Sequence, residues 1–162
     1  MKKMLKSKKD YQIKRYNDSI VYSIGRLYIF LNQYFTEIYK EFGLNPAQFN
    51  LLMLIKHFGG EKGISQIELG DKLFVSAANI TKLIDRLEKK GVARRFSSKK
   101  DRRINLIKIT EKGSKLLDKV WEKHVQALNN ILEGFSEVEK KEFNEFLERF
   151  KKEMRKKLDK DE

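Results

Sequence analysis

Residues 76–110 hold eleven lysines and arginines against three acids. Lysine offers a point charge and arginine a planar fork, so the chemistry on offer is phosphate binding. Within this segment Ser76, Ala78, Asn79, Thr81, Lys82 and Arg86 lie on the polar side of a run. Its other side carries Ile80, Leu83, Ile84 and Leu87. Short groups able to meet base edges come first, and cations able to meet phosphates follow. Beyond them Arg94, Arg95, Lys99, Lys100, Asp101, Arg102 and Arg103 gather around a polar turn between two short β-type runs. Such a tip is long enough to reach a minor groove, whose negative potential attracts arginine. The partner these residue types fit is double-stranded DNA.

The rest of the chain sharpens this reading. Of 162 residues, 36 are Lys or Arg and 23 Asp or Glu, for a net charge of +13 and a pI near 9.8. The surplus is focused. Residues 1–15 carry seven bases and one acid, 16–75 five and six, and 111–162 thirteen of each. A solubility device needs no such focus, whereas a phosphate-binding face does. The basic stretch 1–15 reads as a flexible tail that meets either flanking phosphates or only solvent.

Other classes fall away on composition. With no cysteine, disulfides, Cys-based zinc sites, iron–sulfur clusters and thiol switches are excluded. Two histidines, His57 and His124, are little material for a metal site. There is no phosphate-binding glycine loop, no metal-ligand pair at i, i+4 and no nucleophile–base pair, so no enzyme, cofactor or metal is expected. Lys6, Lys8, Lys9 and Asp10 interrupt any signal sequence after Met1, and the least charged stretch, Leu27 to Thr36, is too short to span a bilayer. A cytoplasmic protein without membrane association is expected.

The elements that must position the basic segment can be read from periodicity and caps. Ile20, Ile24, Leu27, Leu31, Tyr34, Phe35, Ile38 and Phe42 predict a long helix over 17–42 closed by Gly43. Asn45-Pro46 with Gln48 predicts the capped start of a second helix, and Ser65 with Glu68 that of a third, which breaks at Phe74-Val75. Ser76 opens a fourth, ended by Gly91. Two strands follow over 92–97 and 104–109. Thr110 opens a fifth helix that breaks at Gly134, and Ser136 with Glu139 opens a sixth carrying Phe143, Phe146, Leu147, Phe150, Met154 and Leu158. The fold class predicted is mainly α with a small β-wing. A winged helix-turn-helix lobe spans about 46–110, flanked by dimerisation helices over about 17–42 and 111–158 in a single domain, 16–162. The apolar stripes on the first and last helices exceed what so small a subunit hides, which marks an interface.

Here the chain resembles the MarR family of bacterial transcription regulators. The likeness rests on Ile64-Ser65-Gln66-Ile67-Glu68-Leu69-Gly70 and on Ile80 through Gly91. It continues in Arg95, the wing Asp101-Arg102-Arg103, and Ile109-Thr110-Glu111-Lys112-Gly113. Gly70 departs from the alanine usual in the family. The resemblance implies a homodimer paired through first and last helices, acting as a repressor on a pseudo-palindromic operator with half-sites roughly 10–10.5 bp apart. It implies that Arg103 enters the minor groove and that Asp101 holds it by an ion pair shared with Arg95. It further implies release by a small organic, often aromatic, effector in a cleft on the first, second and fifth helices, lined by Tyr34, Phe35, Ile38, Phe49, Met53, His57 and Trp121. The plainer reading is that each of these side chains is core, and His57 a helix C-terminal cap. An architectural or non-specific DNA binder and a winged-helix protein-interaction module are the alternatives.

Overall fold

The computed structural model describes residues 16–98 and 104–158. It contains α1 (Asn17–Lys40), α2 (Pro46–Gly59), β1 (Ile64–Ser65), α3 (Gln66–Leu73), α4 (Ala77–Lys89), β2 (Ala93–Ser97), β3 (Asn105–Ile109), α5 (Glu111–Leu132) and α6 (Glu137–Leu158). The chain divides into two compact units between Val120 and Trp121, inside α5.

The first unit holds the core. Leu51, Leu52 and Ile55 of α2 are buried with Leu69 of α3 and with Ile80, Ile84 and Leu87 of α4. Val92, Ala93 and Ile107 of the sheet region join them. Burying each such large aliphatic side chain contributes about 1.5–3 kcal/mol. The three strands lie in the order β1-β3-β2, all antiparallel. Sequence reading found β2 and β3 and missed β1. That strand is only Ile64 and Ser65, pairing with Ile107 and Leu106, and two residues carry no periodicity to read.

The helix boundaries follow from caps. Asn45 accepts from the Gln48 backbone N–H at 2.9 Å while Gln48 accepts from the Asn45 N–H at 3.2 Å. Ser65 with Glu68 and Ser136 with Glu139 repeat this reciprocal arrangement. It satisfies donors that a helix start leaves unpaired. At the end of α1 the N–H of Gly43 donates to Lys40 O and that of Leu44 to Tyr39 O, a Schellman closure with Gly43 at φ +65°. The regular helix therefore stops at Lys40, two residues before the predicted Phe42.

In the second unit α6 buries no side chain. In the first, Tyr39 is the buried residue of α1. Leu27, Tyr28, Ile29, Phe30 and Leu31 on α1 are exposed, as are Phe143, Phe146, Leu147, Met154 and Leu158 on α6.

Candidate nucleic-acid interface

The interface is built on α4. Ser76 caps it, its Oγ accepting from the Asn79 N–H at 3.4 Å. Ile80, Ile84 and Leu87 anchor one side in the core, so the orientation of the helix is set by packing. The opposite side stays open: Ser76, Ala78, Asn79, Lys82 and Arg86 are exposed. Thr81 is half-buried and already engaged. Its hydroxyl donates to Ala77 O at 2.8 Å and accepts from the Gln66 amide at 2.7 Å. Gln66 at the start of α3 thus holds α4 by a side-chain bond that sequence reading did not find.

The turn between α3 and α4 is tight. Gly70 and Val75 are joined by a backbone hydrogen bond, and Phe74 adopts the left-handed region at φ +53°. A β-carbon on Gly70 meets Val75 O at 3.4 Å, ordinary contact, so the glycine is tolerated here but not required. Gly113 differs: its β-carbon would fall 2.0 Å from Val92 O. Thr110 Oγ1 accepts from the Gly113 N–H at 3.0 Å and donates to Gly91 O at 2.7 Å. The Thr-x-x-Gly run therefore seats the first turn of α5 directly on the chain leaving α4.

Arg95 on β2 turns toward α4. Its guanidinium pairs with Asp85 at 2.6 Å and with Glu88, and it donates to Thr81 O at 3.2 Å. Its backbone N–H also donates to Glu88 at 2.7 Å. The group is thus committed to α4, and its role here is to fasten the wing strand to that helix. Arg94 is exposed on the other face of the strand, opposite Lys108 in register. Like charges so placed repel, and the Lys108 ammonium lies 5.0 Å from the Phe96 ring centroid, a cation–π contact that offsets part of the cost. Lys108 is a cation of this region that sequence reading missed. Lys99, Lys100, Asp101, Arg102 and Arg103, and with them the pairing of Asp101, lie outside the described residues.

Two lysines tie the far end of α4 to its neighbours. Lys90 donates to Gly43 O, and Lys112 to Lys90 O at 2.8 Å. Cations at carbonyl ends complement the helix dipole.

The expected effector residues are spread over different environments. Phe35 and Phe49 stack on the buried Tyr39, at centroid distances of 5.6 and 4.5 Å. Ile38 and Met53 are packed against the same core. Tyr34 and His57 are exposed, His57 edge-on to Phe58 at 4.6 Å. Trp121 belongs to the second unit and lies 5.3 Å from His124, whose imidazole burial shifts toward lower pKa. A groove of about 280 Å³ opens elsewhere, lined by residues that include Gln66, Ile67, Val75, Ala77 and Ile104. None of the expected effector residues lines it.

A capped helix with one open polar side, preceded by a tight turn and fastened to a β-hairpin, defines a winged helix-turn-helix protein. Known proteins agree. A family model described as MarR family matches residues 42–104. The HTH-type transcriptional regulator MhqR of Bacillus subtilis (strain 168) is 33% identical over 126 residues, 78% of this chain and 85% of that protein. A MarR protein structure from Peptoclostridium difficile superposes with a TM-score of 0.81 at 27% identity, covering 93% of this chain and 96% of the other. The S. aureus MepR–DNA complex shares the fold, with a TM-score of 0.77 at 18% identity over 82% of this chain and 96% of that one. The chain belongs to the MarR family, whose members are DNA-binding transcriptional regulators and not enzymes. Among the described residues no helix is long and apolar enough to cross a membrane.

Proposed function

We propose that the chain is a cytoplasmic repressor that binds a two-fold-symmetric operator as a homodimer and is released by a small organic ligand. The observation that carries the reading is the open side of α4. Ala78, Asn79, Lys82 and Arg86 are exposed there while the opposite side is locked in the core. The apolar residues left exposed on α1 and α6 support pairing with a second copy through those helices. Two reading heads related by a two-fold axis match a pseudo-palindrome. The solved MepR complex supports DNA as the partner by fold likeness.

In this reading Arg94, Lys99, Lys100 and Arg102 meet phosphates, and Arg103, positioned by Asp101, enters the minor groove. Those wing-tip roles rest on the likeness to the family. Release by ligand follows if the ligand binds more tightly to a dimer with mis-spaced heads, and its effect equals that difference in affinity. Tyr34, Ile38, Met53, His57 and Trp121 are the positions to substitute first when a ligand is in hand.

Selection from random duplex DNA at about 150 mM salt, with competitor present, tests the reading. A two-fold-symmetric motif is the expected result. Binding that decays with salt and selects no motif points to an architectural protein. No binding at all points to a protein-interaction module.

A further inference from the structure

We propose that α4 reads neighbouring A·T pairs, with Ala78 against the C5 methyl of a thymine and Asn79 on an adenine edge. This rests on the operator-binding reading above and specifies what the operator contains.

The hydrogen bonds within the helix show which side chain is left wholly uncommitted. Ser76 Oγ is the N-cap acceptor for Asn79 N–H. The Thr81 hydroxyl spends its hydrogen on Ala77 O and takes the Gln66 amide. Of the short polar groups on this side of α4, Asn79 alone keeps a side chain that makes no hydrogen bond among the described residues, and it is exposed. Beside it Ala78 is exposed and offers only a methyl group. In the major groove a thymine presents its C5 methyl and an adenine its N6 donor and N7 acceptor. A methyl next to a free carboxamide complements that pattern. Guanine calls for a bidentate cation, and the open cations Lys82 and Arg86 stand about one and two turns further along the helix.

The test uses the full chain and the motif recovered by selection. Each thymine in a half-site is replaced in turn by deoxyuridine, which removes only the methyl group. At one position the wild-type protein should bind about fourfold more weakly, the value of one buried carbon group. In Ala78→Gly the thymine-to-uracil ratio at that position should fall to about one. The ratio is taken within one variant, so any general loss of affinity cancels. Asn79→Ala should reduce discrimination for the neighbouring adenine about tenfold or more. A motif with no uracil penalty at any position overturns the inference and leaves operator binding intact. A penalty that persists unchanged in Ala78→Gly also overturns it. Recovery of no motif overturns both the inference and the reading beneath it.

Discussion

Arg95 Nη1 stands 2.6 Å from Asp85 Oδ1, and the same guanidinium reaches Glu88, so one side chain of the wing strand grips two carboxylates of α4. Its side chain is only 22% exposed, which separates this pairing from a solvent-screened surface bridge. The wing and α4 are thereby held as one reading head. Arg95→Ala leaves half-covered carboxylates without their partner. It should cost about 1–3 kcal/mol of stability, read by urea unfolding. DNA affinity should fall as well. Arg95→Lys should recover only part of either, because an ammonium cannot reproduce the fork. Stability within a few tenths of a kcal/mol of the parent would contradict the role.

The two glycines of the family motifs should respond in opposite ways. Gly113→Ala forces a β-carbon to within 2.0 Å of Val92 O, and the backbone must shift. A loss of about 1–3 kcal/mol or more is expected. Gly70→Ala meets nothing closer than 3.4 Å and should be neutral or stabilising by up to about 1 kcal/mol. Thermal unfolding of the two variants side by side checks both signs.

Acid should loosen the start of α3. Hydrogen bonds from Ser65, first its side chain and then its backbone, hold the Glu68 carboxyl below the usual value of 4.5. A carboxyl whose pKa is lower folded than unfolded adds stability that is complete above the unfolded value. That stability is lost as pH falls through the folded one. Unfolding of the parent measured from pH 6 downward should therefore lose stability below about 4.5. Glu68→Gln should lose less over the same range. Parallel curves would show that Glu68 does not contribute to the acid sensitivity.

The helices that bury little in one chain should be buried in two. Phe146→Asp places a charge in the exposed apolar stripe of α6, which also carries Phe143, Leu147 and Met154. Sedimentation should give a mass of two chains for the parent and a shift toward one for the variant. DNA affinity should fall in parallel, because one head then lacks its tethered mate. A parent that sediments as a single chain would refute the dimer.

What the sequence made legible was local. The Asn45–Gln48, Ser65–Glu68 and Ser136–Glu139 caps, the αL glycine at position 43 and the two longer strands are each written within a few residues, and all are found. The apolar side of α4 was legible for the same reason, since Ile80, Ile84 and Leu87 repeat at helical spacing. What escaped depends on residues far apart in the chain. β1 exists through its register with Leu106 and Ile107. The Gln66–Thr81 bond spans fifteen residues, and it turns a residue expected to read bases into part of the scaffold. Arg95 was expected to share the wing's Asp101. Its contacts within the described residues are with α4, because a β-strand points alternate side chains to opposite faces and position 95 faces inward with Ile107. The requirement for glycine at 113 arises from the Val92 carbonyl and not from any turn.

A repressor of the proposed kind must distinguish its operator from other DNA sequences. The most direct test compares, at about 150 mM salt, affinity for the selected two-fold motif with affinity for a scrambled duplex of equal length and composition. A preference of about a thousandfold or more is expected, with two chains bound per motif. Equal affinities for the two duplexes would contradict it.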